Sequence, residues 1–432
     1  MDTGVPSILD CPYPRAVVCW LCSRPETIML PRLRMTLDFI PSPFEDKPGL
    51  MVRDPFHFSE ATLIVPPPLI ECLEFFDGEH TALDLRAHLV RITGDLQAGD
   101  IETNLLNALS EAAFLEDETF EKRRFATEQA FAEAPIREPA HAGTGYPDDP
   151  AELRVTLDEY LNGEKANSSP SNRTLAIAAP HVSPFGGVDA YRAAYSALTP
   201  ADAERTFVIL GTSHYGHPER LGLTRKPFVT PYGETATDTK LVDELERSLG
   251  PATLMEDYCH AIEHSIEFQV VFLQHLFGPR IRILPILCGS YLRSIYQGGL
   301  PEDDEHVSRI LGTLGDLAAR EDGKLLWVLG IDMAHMGQRY GDRMTALAGR
   351  DEMAEVEQRD RARIQRMESG DARGFWDLVQ PNHDDLKWCG SAPIYTFLKA
   401  VPQARGQLLG YQQWNIDEAS VVSFAGMRFH SA

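Results

Sequence analysis

Three apolar, β-branched runs in this chain each end in a short polar segment that carries a histidine. Thr174–Ala179 leads into Pro180-His181, Phe207–Leu210 into Gly211-Thr212-Ser213-His214, and Leu325–Leu329 into Asp332-Met333-Ala334-His335. Such runs read as buried parallel strands, and α/β proteins place their sites at the carboxyl ends of those strands. Three imidazoles delivered from three strand ends can meet at one point. Imidazole and carboxylate donors suit iron, copper, zinc or manganese, so the pattern points to a metal or catalytic centre.

The densest group is Cys259-His260-Ala-Ile-Glu263-His264-Ser-Ile-Glu267. On one continuous helix, His260, His264 and Glu267 share a face beside an apolar stripe of Ile262, Ile266, Val270, Leu273 and Phe277. His260-Ala-Ile-Glu263-His264 also satisfies the H-x-x-E-H pattern of inverted zinc peptidases, a third and much weaker functional reading. The plainer alternative makes Glu263 and His264 a capping pair at the start of a long helix. Asp332 either orients His335 or binds metal itself. Gly186-Gly187 lets the backbone after His181 turn close to a ligand, and Ser213 with its neighbouring amides could bind an oxyanion. Arg339 reads as an ion-pair partner before a substrate clamp. Cys389 reads as a buried structural thiol. His217 is assigned to the surface, and His57, His80, His88, His141, His306 and His383 to the first module, a linker or solvated helices. No dinucleotide fingerprint or P-loop is present.

The elements that must position these residues fall into two blocks. Residues 36–125 open with proline-rich extended pieces and turn helical: 69–76, 83–91 after Thr81, and 101–114 after Asp100 as N-cap. Residues 126–149 are charged, then rich in Ala, Pro, Gly and Asp, and read as a linker. Residues 150–432 alternate helix and strand, with strands at 174–179, 206–210, 281–287, 325–330 and 419–428. That alternation predicts an α/β domain with a largely parallel sheet flanked by helices. The first block predicts a small α+β, winged-helix-like domain. Residues 1–34 read as a leader, or as an over-long start with Met35 the true first residue. Cys19-Trp-Leu-Cys22 lacks a second pair and reads as chance.

With 432 residues, 43% hydrophobic and 24% charged, the chain is of ordinary globular composition and too long for one core. A formal charge of −24 argues against nucleic acid and anionic membrane surfaces as partners. The N-terminus lacks the order of a secretory signal and no stretch reaches transmembrane length, so the chain reads as cytoplasmic. Seven scattered cysteines do not form a disulfide framework.

Taken together, the motifs of the second block resemble the Memo family, the B component of the AmmeMemoRadiSam system, over roughly residues 145–430. Ala179-Pro-His181 followed by glycines is similar to the family's A-P-H-A-G loop, and Gly211-Thr-Ser-His214 to its G-P-S-H. Thr230-Pro-Tyr-Gly233 with Asp238, His260-Ala-Ile-Glu-His-Ser-Ile-Glu267, Ile283-Leu-Pro-Ile-Leu, Asp332-Met-Ala-His335 and Cys389-Gly390 follow in the family's order. The resemblance implies a fold like the class III extradiol dioxygenases, which hold non-haem Fe(II) with two histidines and a carboxylate. It implies iron or copper, with zinc as a further candidate, on His181 and His214, and oxidoreductase chemistry. It puts the third ligand at Ala334, which has no donor atom, so the site would be completed by His264, His335 or Asp332. His264 is the expected third metal ligand, and His264, His335 and Asp332 the expected catalytic set. The alternative is a non-catalytic scaffold that keeps the fold with a degenerate metal site. Residues 36–125 faintly resemble PqqD-like peptide-recognition modules. That implies a peptide or protein partner, such as a radical SAM enzyme.

Overall fold

The structure, a computed structural model, describes residues 29–432 apart from 45, 164–172 and 254–256. The Cys19–Cys22 pair lies outside the described residues. The chain divides into two compact units, Met1–Ala126 and Thr127–Ala432.

The first unit contains a three-stranded antiparallel sheet, β1 (Asp38–Pro41), β2 (Leu50–Arg53) and β3 (Thr62–Val65), in that order. Helices α1 (Ala82–Thr93) and α2 (Gly99–Glu111) follow, and α3 (Glu118–Glu133) begins here. Thr81 caps α1 in a reciprocal box with Asp84, which satisfies two amides that would otherwise lack partners. The expected cap Asp100 instead lies in the first turn of α2, where its charge complements the helix dipole. The segment 69–76 is a 3-10 helix from Pro67 to Phe75. Residues 29–34, the end of the expected leader, are joined to this unit. Leu30 donates to His80 O and Arg34 to Phe114 O, and the Arg34 guanidinium pairs with buried Asp54 at 2.9 Å. Asp54 also accepts the amides of Phe56 and Ser59 at 3.0 and 3.1 Å.

The second unit begins its core with α4 (Pro150–Leu161), capped by Asp149. Its strands are β4 (Thr174–Ala179), β5 (Thr206–Thr212), β6 (Leu221–Leu223), β7 (Phe228–Thr230), β8 (Gly233–Thr237), β9 (Arg282–Cys288), β10 (Leu325–Gly330), β11 (His335–Gly337), β12 (Ala404–Asp417) and β13 (Ser420–Ser431). The helices between them are α5 (Val188–Tyr195), α6 (Thr239–Leu249), α7 (Cys259–Ile262), α8 (His264–Phe277), α9 (Leu292–Gln297), α10 (Glu305–Arg320), α11 (Asp351–Ser369), α12 (Ala372–Val379) and α13 (Ser391–Ala400). The sheet runs β11-β13-β4-β10-β5-β9-β8-β7. Its centre, β4-β10-β5-β9, is parallel, as is β8 on β9. Antiparallel strands extend both ends, chiefly the long β12–β13 hairpin laid along β4. The expected strand 419–428 is the second arm of that hairpin. Its partner β12 was not legible because its residues are only half buried and lack an apolar run.

Strand side chains alternate between two cores, as the period of two requires. Phe207 and Ile209 pack with α4, α5 and α8, while Val208 and Leu210 pack with α6, α10, α12 and α13. Two glycines set how α8 meets the sheet. A Cβ on Gly211 would lie 2.5 Å from Ser265 Oγ, and one on Gly330 would lie 2.2 Å from Ser265 O. Only glycine at the ends of β5 and β10 lets the first turn of α8 sit on those strand ends. Ser265 then bonds Thr212 O at 2.8 Å.

The stretch expected to be a linker carries regular structure and a buried side chain. Residues 126–133 complete α3, and Arg137 is fully buried in the second unit.

Candidate metal centre

His181 leaves the end of β4, His214 follows β5, Asp332 follows β10, and Cys389 immediately precedes Gly390 and α13. The rings of His181 and His214 have centroids 5.1 Å apart. His264 closes the triangle, 5.1 Å from His181 and 5.0 Å from His214. Two of the three strand-end imidazoles, His181 and His214, therefore converge, and His264 at the start of α8, not His335, completes the triangle. The ligand atoms of His181, His214 and Cys389 all lie within 4.8 Å of one another. A second group with the same spacing comprises His214, Glu263 and His264.

Each imidazole is held by its other nitrogen. His181 Nδ1 lies 2.9 Å from Gly330 O, a carbonyl, so this nitrogen carries the proton and Nε2 is left for the centre. Nε2 is 3.2 Å from Cys389 Sγ and 3.5 Å from Asp332 Oδ2. His214 Nδ1 donates to the Glu263 carboxylate at 3.1 Å, the carboxylate–histidine arrangement that orients metal-bound imidazoles. Glu263 caps α8, accepting from the amides of His264 and Ser265 at 2.9 and 3.1 Å. It is thus both the helix cap that one sequence reading proposed and the brace for His214.

Charges follow from this packing. Burial pulls His181 down, but Asp332 and Cys389 together outweigh it, and its pKa rises to about 9. Burial likewise opposes His214, and Glu263 with Cys389 carries it well above the ordinary value. Burial would raise Glu263, but His214 and His264 hold it far below the carboxylate range. His264 goes the other way. Burial, with the neighbouring His214, His181 and His141, holds it well below the usual imidazole value despite Glu263. Burial would raise the Cys389 thiol, but His181 and His335 drive it well below normal. Asp332 is raised, chiefly by burial.

Two expectations need correcting. Ala334, given the third-ligand position, is fully buried with its N–H on Ser423 Oγ at 2.9 Å and supplies nothing to the centre. Cys389, which read as a structural thiol, stands in one donor group with His181 and His214, while His264, the expected third ligand, stands in the other with His214 and Glu263. The Cys389-Gly390 motif was visible, and what the sequence could not supply was the turn that brings it to His181. The peptidase reading also fails. The backbone leaves helical angles at Glu263 (φ −77°, ψ 130°), so His260 and His264 do not share a helix face. His260 packs against Phe228 and belongs to neither donor group, and Glu263 is engaged with His214.

His335 stands on the rim. Its Nδ1 faces the carbonyls of Met333 and Lys387 at 2.9 and 3.0 Å, and its ring meets Tyr340 edge-on. It acts on Cys389 and Asp332 through charge. Arg339 is half exposed, 4.0 Å from Asp417, as an ion-pair partner. His141, set aside with the linker, lies with its ring 5.6 Å from that of His264. It is fixed there by Glu267, which accepts its amide and pairs with Arg137. The signal available was a run of Arg137, His141 and Tyr146 inside a proline- and glycine-rich stretch.

Parallel strands with a histidine–thiolate donor group at their carboxyl ends define an α/β protein built around a candidate transition-metal site. Residues 137–428 match the family described as Memo-like protein. A MEMO1 family protein of Aquifex aeolicus is 28% identical over 406 residues, covering 93% of this chain and 100% of that protein, so the two share the N-terminal unit as well. One from Thermococcus kodakarensis is 33% identical over 309 residues, 68% of this chain and 99% of its own. Another, from Thermus thermophilus, is 27% identical over 315 residues, 72% and 86% of the two chains. The chain belongs to the Memo family. Among the described residues, no helix is long and apolar enough to cross a membrane.

Proposed function

We propose that the second unit is a metalloprotein centre in which His181, His214 and Cys389 hold a redox-active transition metal, iron or copper before zinc. The observation that carries this reading is the convergence of three donor atoms within 4.8 Å, two of them on imidazoles whose other nitrogen is already committed. Two imidazoles and a thiolate fit such a metal by donor chemistry. When bound, it would supply one-electron and dioxygen chemistry. Around it, Asp332 holds His181 by accepting its amide at 2.9 Å. His264, kept neutral, is the proton acceptor, and His335 the proton donor on the rim. The scaffold alternative rested on the missing donor at residue 334 and on the attached recognition-like module; the thiol of Cys389 speaks against the first of these grounds. A centre that needs a free thiol suits a reducing compartment, and we place the protein in the cytoplasm.

Metal content of untagged protein, purified anaerobically, tests this reading. About one iron or copper per chain is expected, with loss in the His181→Ala/His214→Ala double variant and weaker retention in Cys389→Ser. Metal uptake that neither variant alters would overturn it.

The first unit supports a second role. We infer that it is a winged-helix-like, PqqD-like module that receives a peptide or protein partner, such as the radical SAM enzyme of an AmmeMemoRadiSam-type system. Supporting this, β3 is an edge strand among the described residues, and beside it an apolar cavity of 290 Å³ is lined by Leu63, Val65, Leu69, Ile101 and Leu105. An extended peptide can add to such an edge and seat side chains in such a groove. Co-purification with a co-expressed radical SAM enzyme tests the role, and binding unchanged by Leu105→Arg would overturn it.

A further inference from the structure

Among the buried carboxylates that the proposed centre does not use, Asp360 has partners that reach back to it. Asp360 lies on α11, a helix made mostly of charged residues, yet it is 0% exposed. Its Oδ1 accepts the indole N–H of Trp388 at 2.7 Å. Its Oδ2 accepts the hydroxyls of Tyr411 at 2.8 Å and Ser423 at 2.6 Å. Burial pushes its pKa up, and the three donors draw it back. An ionisable group taken fully out of water is costly, and an apolar side chain would fill the same core more cheaply. A role beyond packing is therefore worth seeking in what its partners hold.

Those partners lead to the centre by two routes. Trp388 immediately precedes Cys389 in the chain. Ser423 accepts the amide of Ala334 on its hydroxyl at 2.9 Å, and its backbone pairs with Met333 and Ala334 at 2.8 and 2.9 Å. This fixes the loop that starts at Asp332. The routes meet where Gly390 donates to Asp332 O at 3.1 Å and Cys389 Sγ approaches the same oxygen at 3.7 Å. One carboxylate thus ties together the turn that carries the thiol and the loop that carries the carboxylate facing His181.

We propose that Asp360 is a positioning residue that fixes the Cys389 sulfur at the centre through Trp388 and Ser423. The inference rests on the reading of His181, His214 and Cys389 as metal ligands. Asp360 touches no ligand atom itself.

The test uses full-length, metal-free protein titrated with Co(II), whose thiolate charge-transfer absorption reports a cobalt–sulfur bond. The variants are Asp360→Asn, Trp388→Phe and Cys389→Ser. Wild type is expected to show the band and Cys389→Ser to lack it. Asp360→Asn and Trp388→Phe should lose about half of the intensity at saturating cobalt and bind it roughly three- to tenfold more weakly, the scale set by one hydrogen bond. Band intensity per bound cobalt is a readout that a merely structural role would leave alone. Wild-type intensity and affinity in both variants would overturn the inference. If Asp360→Asn does not fold, Trp388→Phe, which removes only the indole N–H and some ring bulk, decides it. A wild type without the band would overturn the metal reading instead. The positioning role would then be judged by deuterium exchange. The amides of Ala334 and Gly390 should exchange faster in Trp388→Phe, and unchanged exchange would reject it.

Discussion

The sulfur of Cys389 stands 3.2 Å from Nε2 of His181, across 208 residues of chain. The pair acts as a thiolate and an imidazolium. Burial opposes both charges, yet His181 rises to about 9 with Asp332 and Cys389 beside it, and the thiol falls far below normal beside His181 and His335. A proton therefore sits on the nitrogen that a metal would need.

It follows that loading the protein with metal near neutral pH must expel that proton. A group whose pKa is raised to about 9 stays protonated below that value, so the metal competes with it throughout the acidic and neutral range. Zn(II) titrated into weakly buffered protein should release protons. Its affinity should climb roughly tenfold per pH unit for each proton displaced, between about pH 6 and about pH 8. An indicator-dye titration measures the release. Affinity independent of pH would show that neither His181 nor His214 gives up a proton to the metal.

Glu263 serves two structures at once. Its Oε1 accepts the amides of His264 and Ser265, its Oε2 accepts the amide of His214, and both oxygens face His214 Nδ1. Glu263→Gln retains the shape but replaces one oxygen by a second donor. It should weaken metal binding by about 10- to 100-fold and cost ~2–3 kcal/mol of stability through the amides left unpaired. Competition with a chelating dye and urea unfolding measure the two effects separately. A loss of stability with metal affinity intact would mean that the cap matters and the His214 brace does not.

The strand ends were legible because β4, β5 and β10 are buried on both faces, and such strands show as continuous apolar runs. His181, His214 and Asp332 follow directly from them. The break at Glu263 was legible only as one of two readings, the capping pair at the start of a long helix. The sequence from Cys259 to Phe277 keeps a helical period throughout, and only the contact of Ser265 with two strand-end glycines forces the cap. Cys389 was missed for a related reason. Its place depends on Trp388 being tied to Asp360 and Gly390 to Asp332, contacts that no local pattern encodes. Arg137 was lost in the linker because composition there is that of a loop, while its burial depends on Glu267, 130 residues further on.

The contrast between residues 334 and 389 can be put to a direct test. Ala334 is fully buried, with both backbone groups bonded to Ser423. A cysteine there adds sulfur to a packed core and should cost ~1–3 kcal/mol by crowding. The double variant Ala334→Cys/Cys389→Ser should fail to regain the cobalt–thiolate band that Cys389→Ser loses. Recovery of the band would show that a side chain at residue 334 also reaches the metal.

Glu267 offers a prediction on stability against pH. It is fully buried and pairs with Arg137, and it accepts the amides of Ala140 and His141 at 3.1 and 3.0 Å. Burial would raise its pKa, but Arg137 and His141 bring it below the ordinary carboxylate value. A depressed pKa gives stability that is present above the unfolded value of about 4.3 and is lost as pH falls through the folded one. Glu267→Gln leaves the Arg137 guanidinium buried without its counter-charge and should cost ~3–5 kcal/mol near neutral pH. Other carboxylates titrate alike in both proteins and cancel in the difference. Urea unfolding of the two proteins, stepped from neutral pH into acid, should therefore show a wide gap that closes only below the unfolded carboxylate value. A gap that stays constant into acid would mean that Glu267 is not ionised in the native protein, and that the segment carrying His141 is held against α8 by packing alone.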